Sequence, residues 1–352
     1  MAKEVIRVDG TYQTGDIVDV YSDKDRYLGT GFANDISKIR VRIVSRNAND
    51  RFDDAFWQRR VKYALDYRRT VMGETDFSCC RLIFGDADEM PGLTVDRYSD
   101  VLVAQTLCYG MDQVKPVIFK ALVDELKAMG VTIRGIYERN DVKVRELDGM
   151  EQYKGWYEAD FLPEPGSVIT TIEENGIRYD IDVENGQKTG FFLDQKYNRL
   201  AVAKIAAGKH VLDCFTHTGS FALNAAYAGA KEVIGVDASE LGVEQARKNA
   251  SLNGLENVAS FVCEDVFELL PRLEKEGEKF DVVILDPPAF TKSRNSIKNA
   301  IKGYREINLR GMKLVKDGGY LCTCSCSHFM DYELFTKTIN QAAHNVHKRF
   351  VR

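Results

Sequence analysis

From about residue 167 onward the chain alternates short apolar runs with helical patterns, and that alternation restricts this half to a parallel, doubly wound α/β sheet flanked by helices. The predicted strands are residues 210–214, 232–236, 259–263, 280–285 and 320–324. In such sheets ligands bind at the carboxyl ends of the strands, so the residues just after each run are the ones to read for chemistry.

Three of those ends are acidic. Asp213 opens the loop Asp213-Cys214-Phe215-Thr216-His217-Thr218-Gly219, Asp237 closes the second strand and Asp265 follows the third. The first loop lacks the Gly-x-Gly-x-x-Gly spacing that brings a pyrophosphate onto backbone amides at a helix start, which disfavours a dinucleotide. Carboxylates without a phosphate cradle suit a nucleoside whose sugar hydroxyls, adenine amine and ammonium all donate hydrogen bonds, namely S-adenosylmethionine. Any one of these aspartates could equally be a helix N-cap; the three in register favour the ligand. Upstream, residues 187–199 mix Phe191 and Phe192 with polar groups that include Gln195. That segment reads either as a cover for the cofactor's methionine end or as a helix start with two aromatic rings in the core.

The fourth strand ends in Leu285-Asp286-Pro287-Pro288-Ala289-Phe290, and the fifth carries Cys322, Cys324 and Cys326 in alternation. Alternate residues share one face of a strand, and Cys322 and Cys324 read as small core residues. Cys326 lies beyond the apolar run, at the carboxyl edge. C5 of a pyrimidine is too weak a nucleophile to take a methyl group from a sulfonium directly, and a thiolate that adds to C6 raises the electron density there. Asp286 could hold the amine of a cytosine and, when protonated, donate to its N3. Lys292, Arg294, Lys298, Lys302, Arg305 and Arg310 stand against Glu306 in the following stretch. A basic loop there would grip phosphates while the target base stacks on Phe290, with Pro287 beside it and Tyr304 a further aromatic in reach. No cysteine or histidine pair has ligand spacing, so no metal is expected.

In the first half, residues 16–21, 27–33 and 39–44 read as strands of a small β-barrel. Residues 37–70 are rich in basic side chains, which suits either a nucleic-acid face or an ordinary solvated helix face. Strands at 81–84, 93–95, 101–104 and 132–137 with a helix over 114–129 make a small α+β module. Residues 141–165, interrupted by Gly149, Gly155, Pro163 and Pro165, suit a linker. The expected domains are therefore 1–68, 69–166 and 167–352. The net charge of -5 gives no global field to recruit nucleic acid, so any such contact is local. The eight cysteines are not spaced as a disulfide framework, and no segment reads as a signal peptide or a membrane span. A soluble cytoplasmic protein with reduced thiols and no membrane partner is expected.

Taken together, Lys188-Thr189-Gly190-Phe191 with Leu193-Asp194-Gln195, Asp213-Cys214-Phe215 with Thr218-Gly219, Asp286-Pro287-Pro288, Gly303-Tyr304-Arg305-Glu306-Ile307-Asn308 and Ser325-Cys326-Ser327 resemble the bacterial 23S ribosomal RNA cytosine-5 methyltransferases of the large subunit. The resemblance runs over almost the whole chain. It implies a PUA-type RNA-binding barrel, a central α+β domain and a class I (Rossmann-like) methyltransferase domain, with S-adenosylmethionine as cofactor and 23S ribosomal RNA as partner. It also implies Cys326 as the nucleophile, because the family's catalytic thiol follows the serine of that motif. Against the family pattern, the barrel begins late, and the sequence reaches Arg352 where two further strands of the sheet are expected. The fifth strand is then expected as an open edge, an association hazard, and a homodimer counts among the expected partners. Two other readings stay open: an RNA N-methyltransferase acting on guanine or adenine with Cys326 idle, and a catalytically silent RNA-binding protein.

Overall fold

Asp53 caps the first helix by accepting the Phe56 amide at 3.0 Å, and Phe56, Trp57, Val61, Ala64 and Leu65 recur at the three-to-four-residue spacing that buries one helix face. The computed structural model describes residues 4–291, 293–346, 348, 350 and 351. It divides into two units, one of residues up to 174 with 180–193, the other of 175–179 with everything from 194 on.

In the first unit β1 (Ile17–Tyr21), β2 (Tyr27–Ala33) and β3 (Val41–Ser45) form an antiparallel sheet in sequential order. The helix α1 (Asp54–Phe77) follows and is broken at Gly73 by a left-handed φ of 67°. Many basic side chains of this region are paired: Arg42 with Asp148, Arg59 with Asp50, Arg60 with Glu89, Lys62 with Asp66 and Arg68 with Asp88. The next sheet contains β4 (Cys79–Phe84), β5 (Leu93–Tyr98), β6 (Val101–Thr106), β7 (Gly135–Asn140) and β8 (Tyr153–Trp156), with α2 (Tyr109–Ala128) joining β6 to its parallel neighbour β7.

The segment 141–165 is therefore not a plain linker, because β8 is an antiparallel strand on β7. What holds it is a half-buried ionic cluster. Tyr153 Oη lies 2.6 Å from Lys115 Nζ and donates to Glu138 Oε1 at 2.8 Å, and the same Glu138 oxygen accepts from Lys115 Nζ at 2.8 Å. The buried Arg145 guanidinium donates to the carbonyls of Glu151 and Thr106, so backbone that a loop would leave to water is paired internally.

A hairpin, β9 (Ile169–Glu174) and β10 (Ile177–Asp182), turns on Asn175-Gly176, both at positive φ (55° and 80°), the conformation a two-residue turn between twisted strands requires. In the second unit come α3 (Lys196–Ala203), β11 (His210–Cys214), α4 (Ser220–Tyr227), β12 (Glu232–Asp237), α5 (Glu240–Leu252), β13 (Ala259–Cys263), α6 (Val266–Glu276), β14 (Phe280–Leu285), α7 (Ile297–Leu314), β15 (Val315–Thr323) and α8 (Tyr332–Ala343). The strands lie in the order β13-β12-β11-β14-β15, all parallel. Leu212, Cys214, Val283 and Leu285 pack with Leu269, Leu270 and Ile307 in one core cluster, each fully buried leucine contributing about 1.5–3 kcal/mol. The order reverses between β11 and β14, which puts the ligand crevice of a doubly wound sheet beside Cys214 and Leu285.

Candidate active site

At that switch point the amide of Asp286 meets the Cys214 carbonyl at 3.4 Å. The loop after β11 is tight, with Phe215, His217 and Gly219 all at positive φ (65°, 52° and 82°). A Cβ on Gly219 would stand 2.9 Å from the Phe261 ring, so glycine is required where α4 begins; the carbonyl of Thr218 before it accepts from Asn249 Nδ2 at 3.2 Å. Asp213 is fully buried rather than presented at the strand end. Its Oδ2 accepts from Thr216 Oγ1 at 2.6 Å and from the Ala222 amide at 3.0 Å, while Oδ1 is buried with no donor in the protein. Burial pushes this carboxyl up to about 7, against the pull of Thr216 and with the charge of Asp286 adding to the rise. It is not an N-cap, a position held by Gly219.

Asp237 joins two loops: Oδ2 accepts the His217 amide and Oδ1 the Ser239 amide, both at 2.9 Å. Asp265 is the N-cap of α6, accepting from the Phe267 amide at 2.8 Å, and is exposed. The cap reading therefore holds for Asp265 and not for the other two. The site fits S-adenosylmethionine. Asp213 Oδ1 is an orphaned buried acceptor, Asp237 is a half-buried carboxylate with acceptor capacity beyond its two amide bonds, and an exposed Asp265 stands at the next strand end.

The fourth and fifth strand ends come together. Gln195 Nε2 donates to Asp286 Oδ2 at 3.0 Å, and Gln195 Oε1 accepts from Asn198 Nδ2 at 2.6 Å. Gln195 thus orients Asp286, a role its place in the sequence does not announce. Pro287 is buried, and its carbonyl accepts from Cys326 Sγ at 3.5 Å. Cys326 is exposed, whereas Cys322 and Cys324 are half-buried; burial pushes those two thiols up to about 11 and about 12, so both are protonated at neutral pH.

Tyr304 does not offer its ring to a base, because it is fully buried. Its hydroxyl lies 2.9 Å from the Oγ atoms of both Ser325 and Ser327. Phe290, half-buried, packs on it at 4.6 Å and continues through Phe267 (5.8 Å) to Phe215 (6.5 Å), an aromatic row from the first loop to the fifth strand end. The basic stretch is a helix and not a loop: Lys298, Lys302 and Arg305 are exposed at the spacing of one face of α7, with exposed Arg294 just before it. Arg310 is withdrawn into pairs with Glu274 and Glu306. Lys292 lies outside the described residues. In the segment 187–199, Phe191 is a core residue of the first unit and Thr189 Oγ1 donates to Asp96 at 2.6 Å there. Among the described residues no group of three or more His, Cys, Asp or Glu could hold a metal, and no helix is long and apolar enough to cross a membrane.

A family model described as S-adenosylmethionine-dependent methyltransferase matches residues 107–351, and one described as a PUA-like domain matches residues 1–46. The protein of Aeromonas salmonicida named ribosomal RNA large subunit methyltransferase I is 39% identical over 343 residues, covering 97% of this chain and 84% of that protein. Its namesake from Aliivibrio fischeri (strain ATCC 700601 / ES114) is 38% identical over 348 residues, covering 99% and 86%. Among solved structures, a protein described as a methyltransferase complexed with SAH superposes with a TM-score of 0.78 at 23% identity, covering 94% of this chain and 83% of that one. A SAM-dependent methyltransferase from Streptococcus mutans gives 0.77 at 23%, covering 96% and 84%; these two likenesses speak for the fold. The chain belongs to the S-adenosylmethionine-dependent methyltransferases, in the family of the ribosomal RNA large subunit methyltransferase I proteins, with a PUA-like domain at its N-terminus.

Proposed function

We propose that this protein methylates C5 of a cytosine in 23S ribosomal RNA, with Cys326 as the nucleophile. The observation that carries the reading is an exposed thiol 3.5 Å from the Pro287 carbonyl, one residue beyond the Asp286 carboxylate at the ligand crevice of the sheet. Asp213, Asp237 and Asp265 would hold S-adenosylmethionine, with Phe215, Thr218 and Gly219 shaping the loop, and the bound cofactor would supply an electrophilic methyl group on a sulfonium. The thiolate of Cys326 forms a bond to C6, and the electron pair of the C5–C6 double bond moves toward C5. Asp286, oriented by Gln195, acts in its protonated form: one oxygen accepts from the exocyclic amine and the other gives its proton to N3 as charge develops there. Once C5 carries the methyl group, a base takes the C5 proton, the electron pair re-forms the C5–C6 double bond as the thiolate leaves C6, and N3 returns its proton to Asp286.

Phe290 offers a face for the unstacked base, and Arg294, Lys298, Lys302 and Arg305 offer positive charge to the flanking phosphates. The test is to map methylated nucleotides in ribosomal RNA from cells with and without this chain. The expected result is one 5-methylcytosine in 23S ribosomal RNA that disappears with the gene. Loss of an N-methylated guanine or adenine instead would transfer the site to the nitrogen chemistry that Asp286-Pro287-Pro288 also suits.

A further inference from the structure

The ladder between β14 and β15 gives out just before the thiol. The last bond of that pair is from the Cys324 amide to the Leu285 carbonyl at 2.8 Å, so Ser325, Cys326 and Ser327 leave the sheet with no strand to hold them. One phenol ties the hydroxyls on either side of the thiol. Ser325 Oγ donates to Tyr304 Oη at 2.9 Å, Tyr304 Oη and Ser327 Oγ share a second bond of 2.9 Å, and the Ser327 amide reaches back to Ser325 Oγ at 3.4 Å. Both neighbours of Cys326 are thereby tied to a single point inside the protein.

That point is itself fixed. Tyr304 is fully buried on α7, its ring packed between Phe290 at 4.6 Å and Phe335 at 5.4 Å, and its carbonyl accepts from Asn308 Nδ2 at 2.8 Å. A tyrosine buried only for packing has no need of two serine hydroxyls flanking a cysteine. Satisfying a phenol usually takes one partner; the second bond makes a chain of three hydroxyls, Ser325 to Tyr304 to Ser327, in which each polarises the next.

We infer that Tyr304 is a positioning residue for the attack on the pyrimidine: its hydroxyl clamps Ser325 and Ser327 so that Cys326 Sγ stays beside the Pro287 carbonyl. The same ring supports Phe290, so the clamp also sets the spacing between the thiol and the face on which the base stacks. Preorganisation of this sort acts on the reacting step and not on the cofactor loops, which are held separately through Asp237. The inference rests on Cys326 being the nucleophile.

The test is Tyr304→Phe, which keeps the ring and its packing and removes the oxygen. With ribosomal RNA from cells lacking this chain as substrate, kcat is expected to fall about 10–100-fold, with the dissociation constant for S-adenosylmethionine by calorimetry unchanged within about twofold. An RNA fragment carrying 5-fluorocytidine at the mapped position cannot lose a C5 proton and accumulates the thiol adduct; its rate of trapping is expected to fall by the same factor as kcat. Ser325→Ala with Ser327→Ala approaches the clamp from the other side and carries the test if the phenylalanine variant does not fold. It is expected to lose a similar factor, with little further loss when all three changes are combined. Wild-type kcat and trapping in Tyr304→Phe, or losses that simply multiply in the triple variant, would overturn the clamp. Full methyl transfer by Cys326→Ala would instead overturn the thiol reading, so the two failures are told apart.

Discussion

Cys326→Ala is expected to lower methyl transfer by about ten-thousandfold or more while leaving fold and cofactor affinity intact. The size follows from the proposed chemistry: in a C5 transfer the ring has no route to a nucleophilic C5 without a bond at C6, and removing a covalent nucleophile costs far more than removing an orienting contact. The side chain is exposed, and a thiol bonded to a carbonyl is a weak contact, so its loss is expected to cost little stability. Transfer is read with tritiated S-adenosylmethionine and ribosomal RNA, and folding by thermal melting. Cys322→Ala and Cys324→Ala serve as controls, since burial holds both thiols protonated and neither is expected to change the chemical step by more than a few-fold beyond packing effects.

Asp286→Asn is expected to give the second largest loss, roughly 100–1,000-fold in kcat, in line with removal of a positioned acid or base. Stability should move the other way. The Asp286 charge adds to the rise of the carboxyl of fully buried Asp213, so a neutral amide removes the repulsion between the two carboxylates when Asp213 is ionised. Asparagine still offers an oxygen to Gln195 Nε2, now bonded at 3.0 Å. A melting temperature equal to or above that of the unaltered protein, together with the kinetic loss, is the expected pair of results. A variant with normal kcat would remove Asp286 from the reaction.

How much of this was legible in the chain differs by region, for physical reasons. Parallel strands buried on both faces read as continuous apolar runs, and the runs at 210–214, 232–236, 259–263 and 280–285 coincide with β11 to β14. The fifth is longer than its apolar part, because β15 begins at Val315, before Gly318 and Gly319 interrupt the pattern. β8 escapes a local reading because its pairing depends on Lys115, Glu138 and Tyr153 meeting across distant parts of the sequence, while Gly155 and the nearby prolines suggest a loop. The hairpin on Asn175-Gly176 carried a turn signal that the alternating pattern after it obscured. On α7, the density of lysine and arginine hid a 3.6-residue period in Ala300, Tyr304, Ile307 and Gly311, all buried.

Within the site, residue types were readable and their partners were not. Asp237 and Asp286 stand at strand ends, as expected of acidic residues in those positions, but that Asp213 turns inward to Thr216 and that Gln195 serves Asp286 are facts of three-dimensional packing. Tyr304 illustrates the same limit. As a letter in the sequence it is an aromatic near a basic stretch; only the fold brings its hydroxyl between two serines more than twenty positions away.

The eight thiols also divide by accessibility in a useful way. Cys263 and Cys326 are exposed and the other six are buried or half-buried. The two exposed sulfurs sit on opposite flanks of one sheet edge, Cys263 ending the outermost strand on one side and Cys326 following the outermost on the other. A small alkylating reagent read by mass spectrometry should therefore footprint two ligands independently, with the nucleoside shielding Cys263 and the nucleic acid shielding Cys326.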